Sequence, residues 1–150
     1  EAGNLLVDSH GKGGNMILNV GPDATGRFPA QSCRLLDKIG AWMALNGESI
    51  YGCGSAELPK PDWGWYTRRA GKLYAHVLEA PLGPLPLTGL APERIGAVRR
   101  LADGGEVVRG ESWVTSAYEN LAFVSFGTVP QYTYPLPDPI DTVLEIEYPL

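Results

Sequence analysis

A short apolar run between glycine-rich loops is the first strong pattern along the chain. Residues 16–20 are mostly apolar, with Lys12-Gly-Gly14 shortly before them and Gly21-Pro-Asp-Ala-Thr-Gly26 directly after. A run of this kind is typical of a strand that is buried on both faces, as in a parallel sheet covered by helices. The pattern therefore predicts one strand of an α/β sheet over residues 16–20.

Helical periodicity dominates the next segment. Between residues 30 and 46, large apolar side chains recur at i, i+1, i+4, i+7 and i+8, which places them on one stripe of a helix. These residues are Leu35, Leu36, Ile39, Trp42 and Met43. Pro29 suits a helix start, and Gly47 is expected to end the helix in the left-handed conformation. Residues 2–9 have the pattern of the end of an earlier helix.

Beyond residue 52 the chain changes to short β-type runs separated by turns. Ala70-Gly71 lies between two such runs and predicts a first hairpin, and Asp103-Gly-Gly105 predicts a second. Further runs cover residues 113–116 and 121–126. Residues 142–148 alternate between apolar and acidic positions, as expected for a half-buried antiparallel strand. Short strands at this spacing predict a small antiparallel β-sandwich.

Composition and charge narrow the possible partners. The formal net charge of −5 disfavours nucleic acid as a partner. No apolar run reaches the length of about 18 residues that a membrane-spanning helix needs, so no membrane is expected either. Cys33 and Cys53 are too few for a disulfide framework, and with His10 and His76 they do not make a zinc set. We therefore expect two free thiols, no metal and no organic cofactor, and the compartment is left open.

The loop after the predicted strand offers two candidate binding residues. Function in parallel α/β architectures gathers at the C-terminal ends of strands, where Asn19 and Asp23 would lie. These two side chains are candidates for a pocket rim, and the alternative is that they only tie down the loop. Nucleotide binding is not expected, because Arg27 and Phe28 replace the lysine and hydroxyl residue that a phosphate loop requires.

An aromatic cluster marks the start of the β region. Trp63 and Trp65 are candidates for stacking on a sugar ring, and the alternative is that they plug the junction between two domains. Glycoside hydrolysis needs two carboxylates that flank the scissile bond. No such pair is evident here, and no serine nucleophile with its partners is present either. The residues alone therefore predict no catalytic site in this chain.

Many separate positions in the first 52 residues resemble one family. The chain is similar there to the end of the catalytic domain of α-L-fucosidases of glycoside hydrolase family 29. The residues that carry the resemblance are Leu6-Val-Asp-Ser9, Lys12-Gly-Gly-Asn15, Leu18-Asn-Val-Gly-Pro22, Gly26, Pro29, Ile39-Gly40, Trp42 and Asn46-Gly-Glu-Ser-Ile-Tyr-Gly52. Trp63-Gly64 and Tyr66-Thr67 also resemble that family's entry into its C-terminal β-sandwich.

The resemblance implies that this chain belongs to a larger protein with a catalytic barrel and a separate C-terminal domain. Residues 1–52 would be the C-terminal end of a (β/α)8-like catalytic barrel, and residues 53–150 the C-terminal β-sandwich. The whole protein would be a retaining exo-α-L-fucosidase acting on fucosylated glycans or glycosides. The family's catalytic carboxylates match no residue of this chain, so this part is expected to be structural and inactive alone.

Two other hypotheses compete with that interpretation. The β half, with Trp63 and Trp65, would bind carbohydrate without cleaving it if it were a carbohydrate-binding module. Alternatively, the chain is a structural unit without a ligand, whose exposed apolar faces would cause self-association or require a partner.

Overall fold

The helical part of the chain has the predicted helix at its centre. The computed structural model describes residues 2–110, 115–126 and 135–149. Helix α1 spans Ala2–Gly11. Helix α2 spans Ala30–Asn46, and these are the bounds that its apolar stripe predicts. Gly47 does not end α2 in the left-handed conformation as expected. Its φ of −58° is right-handed, and the backbone continues into a 3-10 turn, Gly47–Ser49. The left-handed glycine comes later, at Gly52 with φ 72°.

Residues 16–20 do not form the predicted strand. They have no regular secondary structure and pair with no other part of the described chain. Ile17 is 94 % exposed and Leu18 is 40 % exposed. A strand that is apolar on both faces needs neighbouring strands for its backbone hydrogen bonds and helices for its side chains. Helices α1 and α2 are present, but no described strand pairs with residues 16–20, so the predicted strand has no sheet partner among the described residues.

Among the described residues, eight strands follow the helices and form two antiparallel sheets. The strands are β1 (Gly54–Ser55), β2 (Gly64–Arg69), β3 (Lys72–Val77), β4 (Leu85–Pro86), β5 (Val98–Arg100), β6 (Val108–Arg109), β7 (Phe123–Ser125) and β8 (Thr142–Glu147). One sheet has the order β1-β2-β3-β8-β5 and the other has the order β4-β7-β6. The predicted antiparallel β architecture is therefore confirmed. Half of the predicted run at residues 113–116 lies outside the described residues, and its other half belongs to a 3-10 turn, Thr115–Ala117, rather than to a strand.

Both predicted hairpin turns are present, and the second one joins the two sheets. Arg69 pairs with Lys72 across the two-residue turn Ala70-Gly71, which closes the β2–β3 hairpin. At the second turn, Arg99 bridges to Glu106 while the Arg100 amide donates to the Gly105 carbonyl. Strand β5 stays in the five-stranded sheet, whereas β6 pairs with β7 in the other sheet.

The main core fills the space between the two sheets. Alternate residues of the central strands point into it, as antiparallel pleating requires. Its fully buried members include Leu73, Ala75 and Val77 of β3, Leu144 and Ile146 of β8, Leu85 of β4 and Val124 of β7. This arrangement accounts for the apolar half of the alternating pattern in residues 142–148.

A second, smaller core lies on the opposite face of the five-stranded sheet, under the helices. Trp42 and Ile50 from the helical part pack there against Tyr74 and Val143 from the sheet. The outer face of β8 is consequently buried as well, and Glu145 is only 3 % exposed. The expectation of a half-buried β8 is thus wrong for residues 142–146, which are all buried, because the helical part packs against the face that carries Val143. Glu147, farther along the same face, is exposed as expected.

Candidate functional site

The loop that holds the candidate rim residues is exposed and organised by its own hydrogen bonds. Asp23 Oδ1 accepts bonds from the Thr25 amide at 2.8 Å, the Thr25 hydroxyl at 2.6 Å and the Arg27 amide at 3.1 Å. These bonds, led by the Thr25 hydroxyl, lower the pKa of Asp23. Asn19 is also exposed and lies four residues away on the same loop. Asp23 therefore serves the turn, and the binding role of both residues stays a prediction.

The structure separates the two candidate stacking tryptophans. Trp63 lies in the core between the sheets and is 5 % exposed. Its ring meets Tyr66 edge-on, with the ring centroids 5.1 Å apart, and its Nε1 donates to the Pro86 carbonyl at 2.8 Å. A ring held in this way has little free face for a sugar, so its observed contacts are those of a core residue.

Trp65 lies on the other face of the sheet, where the helical part meets the β part. A Cβ atom added to Gly11 would come within 2.6 Å of the Trp65 ring, so the end of α1 rests directly on the indole. The ammonium groups of Lys12 and Lys60 lie 5.7 Å and 5.1 Å from the ring centroid. Trp65 keeps partial exposure, and it occupies the junction that the plug interpretation assigned to the cluster.

A buried polar chain joins the helical part to the sheet. The Trp42 Nε1 donates to the backbone carbonyl of Asp141 at 2.9 Å, and the Thr67 hydroxyl donates to the Ser49 carbonyl at 2.8 Å. His76 lies between Asp141 and Thr67, with Nδ1 2.7 Å from Asp141 Oδ2 and Nε2 3.1 Å from the Thr67 hydroxyl oxygen. Both side chains of the His76–Asp141 pair are inaccessible to solvent. The pair thus has no access to a substrate and holds the two layers together.

A charged network occupies the outer face of the sheet near the 3-10 turn. Lys72 Nζ lies 3.1 Å from Glu48 Oε1 and 2.9 Å from Glu145 Oε2. Arg99 Nε donates to Glu145 Oε1 at 2.7 Å, so the buried Glu145 carboxylate is shared between two cations. The Tyr74 hydroxyl donates to Glu48 Oε1 at 2.7 Å. The bonds from Tyr74 and Lys72 lower the pKa of Glu48, and the bond to Glu145 raises the pKa of Lys72.

The carboxylates on this surface do not have the geometry of a glycosidase pair. Asp62 and Glu79 line one shallow cavity together with Trp63, but both side chains are exposed. A general acid that works near neutral pH normally depends on burial, which stabilises its protonated form. Glu48 already forms a salt bridge with Lys72, and Glu145 forms one with Arg99. The described residues therefore contain no carboxylate pair prepared for glycoside hydrolysis.

The described residues form neither a metal site nor a membrane-spanning helix. No group of three histidine, cysteine, aspartate or glutamate side chains there is arranged to hold a metal ion. Cys33 and Cys53 are both free thiols, as the cysteine count predicts. No helix in that part of the chain has the length and apolar content to cross a membrane.

The polar contacts between the layers are not visible in the local sequence pattern. Nothing in that pattern pairs His76 with Asp141, which is 65 residues away. One signal was present. His76 and Tyr74 lie on the same face of β3, and Thr67 of the neighbouring strand β2 pairs with Tyr74. A face that carries hydroxyl groups and an imidazole inside a buried strand indicates a polar interface rather than an apolar core.

Comparisons with known proteins agree on one family. The model of the family described as "Alpha-L-fucosidase" matches residues 4–48. A curated relative, the α-L-fucosidase of Dictyostelium discoideum, is 40 % identical over 79 residues, covering 51 % of this chain and 17 % of that protein. This chain thus spans about a sixth of the length of that relative.

Solved structures extend the similarity over nearly the whole chain. Alpha-L-fucosidase isoenzyme 1 from Paenibacillus thiaminolyticus is 46 % identical with a TM-score of 0.88, covering 97 % of this chain and 33 % of that one. A family 29 α-L-fucosidase from Bacteroides thetaiotaomicron, solved as a trapped covalent intermediate, is 26 % identical with a TM-score of 0.74. That match covers 95 % of this chain and 30 % of the Bacteroides chain.

The helices packed on an antiparallel β domain thus recur as part of glycoside hydrolases, since all of these matched proteins are glycosidases by name. More particularly, the chain is related in sequence and in structure to the C-terminal portion of the α-L-fucosidases of glycoside hydrolase family 29.

Proposed function

We propose that this chain is the C-terminal part of a retaining exo-α-L-fucosidase that hydrolyses terminal α-L-fucosyl linkages. Residues 1–52 would be the end of its catalytic barrel, and residues 53–150 its C-terminal β-sandwich domain. Within that enzyme the role of this chain is structural. Its helical part completes the barrel, and its β-sandwich supports that part through the interface under α2.

The observation that carries this proposal is the uncovered apolar surface of the helical part. Two of the five residues of the apolar stripe of α2 are exposed, Leu35 at 44 % and Leu36 at 37 %. Ile17 and Phe28, on the loop that precedes α2, are 94 % and 56 % exposed. Apolar side chains in this number are normally covered in a folded protein. A barrel to which residues 16–20 contributed a strand would bury them.

The substrate follows from the relatives. The Bacteroides enzyme was trapped as a covalent intermediate with 2-fluoro-fucosyl fluoride, and a covalent glycosyl-enzyme is the intermediate of retaining glycosidases. We infer a fucosylated glycan or glycoside as the substrate of the whole protein here. In that protein Asn19 and Asp23 would lie at the C-terminal end of a barrel strand, near the rim of the sugar site.

An assay with an aryl α-L-fucoside tests where the chemistry resides. The 150-residue chain is expected to give no turnover, whereas a longer protein that contains this chain and a complete barrel is expected to release the aryl group. The longer protein with Asn19→Ala would show a raised KM if Asn19 lies at the rim, while Arg34→Ala on the exposed face of α2 serves as a control. Turnover that co-elutes with the 150-residue chain would contradict the proposal.

Carbohydrate binding without cleavage is the second candidate function, and Trp65 is the observation that favours it. Its ring is partly exposed, while that of Trp63 is buried. Tryptophan fluorescence during a titration with fucose distinguishes the two functions. A saturable change that is lost in Trp65→Phe and kept in Trp63→Phe would support a binding module. If fucose causes no saturable change in fluorescence, the structural role remains as the function of this chain.

A further inference from the structure

A cavity lined by described residues lies beside the 3-10 turn, away from the loop of Asn19 and Asp23. It has a volume of about 580 Å³ and opens to solvent at the tip of the β2–β3 hairpin. Its lining comes from both parts of the chain, with Gly47, Glu48 and Tyr51 from the helical side and Arg69, Lys72 and Tyr74 from the sheet. The volume is within the usual range for small-molecule sites, about 300–1,000 Å³.

An aromatic ring forms one wall of this cavity. Tyr51 is 67 % exposed, although it is one of the large aromatic residues. The inner side of its ring rests on Gly47, where an added Cβ would come within 3.2 Å of Cε2. One edge of the ring therefore contacts Gly47, while much of its surface stays open. A flat, exposed aromatic ring suits the apolar C–H face of a pyranose.

Unused hydrogen-bonding capacity surrounds the ring. Glu48 Oε1 accepts from Tyr74 and Lys72, but Glu48 Oε2 has no hydrogen bond from any described residue. Arg69 donates one long bond, from Nη1 to the Tyr51 carbonyl at 3.4 Å, which leaves most of its five N–H donors free among the described residues. The cavity thus combines a group that only accepts hydrogen bonds with a group that only donates them.

The balance of charge indicates what kind of molecule fits. Two cations, Lys72 and Arg69, and one carboxylate, Glu48, line the cavity, so groups of both signs face the same space. A free carboxylate oxygen repels an anion, and the guanidinium repels a cation. A neutral polyol avoids both penalties, because each hydroxyl accepts from Arg69 and donates to Glu48 at the same time.

We propose that the cavity formed by Tyr51, Glu48 and Arg69 is a second, non-catalytic binding site for a neutral saccharide. One ring face packs on Tyr51, and two adjacent hydroxyl groups bridge Glu48 Oε2 and the Arg69 guanidinium. The site joins the 3-10 turn to the β2–β3 hairpin, so a bound sugar also connects the helical part to the β part. This site is independent of the proposed hydrolysis, since it contains no carboxylate pair and no group that the reaction needs.

Saturation-transfer NMR on the 150-residue chain tests this proposal, with methyl α-L-fucopyranoside, methyl β-D-galactopyranoside and sodium sulfate as the probes. At least one glycoside is expected to bind with millimolar affinity. Tyr51→Ala and Arg69→Gln are each expected to weaken that binding about tenfold or more. Tyr118→Ala and Arg34→Gln, which change an exposed tyrosine and an exposed arginine elsewhere, are expected to bind as the parent does.

Circular dichroism of each variant separates a lost site from a lost fold. Glu48→Gln, which keeps the shape of the side chain, is a third variant whose binding should fall while its spectrum is unchanged. Binding of sulfate but of neither glycoside would overturn the proposal, as would glycoside binding that Tyr51→Ala and Arg69→Gln leave unchanged in folded protein. Neither result bears on hydrolysis, which the aryl fucoside assay reports separately.

Discussion

The hydrogen bonds of His76 determine how its protons are placed. The single proton of the Thr67 hydroxyl is used by the Ser49 carbonyl, which can only accept. Thr67 must therefore accept from His76 Nε2, and the other ring nitrogen, Nδ1, shares a hydrogen bond with Asp141 Oδ2. The two side chains thus form a fully buried hydrogen-bonded pair. Asp141 Oδ1 has no partner among the described residues, so the carboxylate depends on His76.

Removal of His76 is expected to be costly. His76→Leu leaves the buried carboxyl group of Asp141 without its hydrogen-bond partner, which typically costs about 1–3 kcal/mol and more for a charged group. The double variant His76→Leu/Asp141→Asn removes the carboxyl group as well and should recover part of that loss. Urea unfolding of the parent, both single variants and the double variant gives the coupling energy. Additive effects would show that the two side chains do not act as a pair.

His10 makes the stability sensitive to mildly acidic pH. Burial, and then the nearby charge of His76, lower the pKa of His10 below its usual 6.5. The unfolded chain therefore binds a proton more readily than the folded chain in the window below pH 6.5. The free energy of unfolding is at its full value above pH 6.5 and should decrease as the pH falls through that window.

Thermal unfolding between pH 8 and pH 5 measures this effect. The pKa values of Glu48, Asp23 and Asp103 are all lowered from ordinary values of 4.5 or less, so their contributions persist through this range. His10→Gln is expected to flatten the dependence of the unfolding temperature on pH. An unchanged slope in the variant would assign the pH dependence to other groups.

At the scale of single elements, the β2–β3 hairpin shows how a turn follows from two residues. Ala70 and Gly71 have φ values of 38° and 79°, so both central positions of the turn are left-handed. Such turns match the right-handed twist of the strands they join. Glycine adopts this conformation without steric cost, whereas an L side chain at the same φ is strained. The Ala-Gly pair was therefore a usable signal for the hairpin.

Two glycines with equal space around them allow a matched test. A Cβ atom would meet no atom within 4 Å at either Gly71 or Gly40, but only Gly71 has a positive φ. Gly71→Ala is expected to lower the free energy of unfolding by about 1–2 kcal/mol. Gly40→Ala, inside α2, should raise it by roughly 0.5–1 kcal/mol, because alanine is the better helix former. Equal effects at the two sites in chemical unfolding would contradict the conformational explanation.

Local pattern was sufficient for the elements whose determinants are local. Helix α2 follows from its stripe, and the hairpin turns follow from their glycines. The strand over residues 16–20 fails because a buried strand takes its hydrogen bonds from neighbours that the described residues lack. The site residues fail for a related reason. The contacts of Glu48 with Lys72, and of His76 with Asp141, join segments 24 and 65 residues apart, and no short pattern encodes them.

For the molecule as a whole, the two parts differ in how completely they bury their apolar residues. The β part has a closed core in which Leu85, Leu87 and Val124 are almost fully inaccessible. The helical part is buried only where it meets the sheet, through Trp42, Ile50 and Val7, and its other side remains uncovered. This asymmetry indicates that the helical part, and not the β part, lacks contacts that would bury its apolar side chains. Such contacts are expected if the rest of a barrel covers the helical part.

The uncovered side should therefore make the isolated chain self-associate. Ile17→Ser combined with Phe28→Ser removes two large exposed side chains from this region without touching either core. Sedimentation velocity is expected to show concentration-dependent association of the parent chain. The double variant should shift toward the 16.1 kDa monomer. Leu82→Ser serves as the control, because Leu82 is 87 % exposed but lies in the loop between β3 and β4.

A barrel that covers this surface would remove the tendency to associate through it. A longer protein containing the barrel should therefore show no association that depends on Ile17 and Phe28, and the same double substitution there should destabilise the fold instead. Burial of a large apolar side chain contributes about 1.5–3 kcal/mol, so the loss should be measurable in chemical unfolding. If the parent chain is monomeric at all concentrations, or if Leu82→Ser alone abolishes association, the exposed helical surface is not the site where the rest of the enzyme docks.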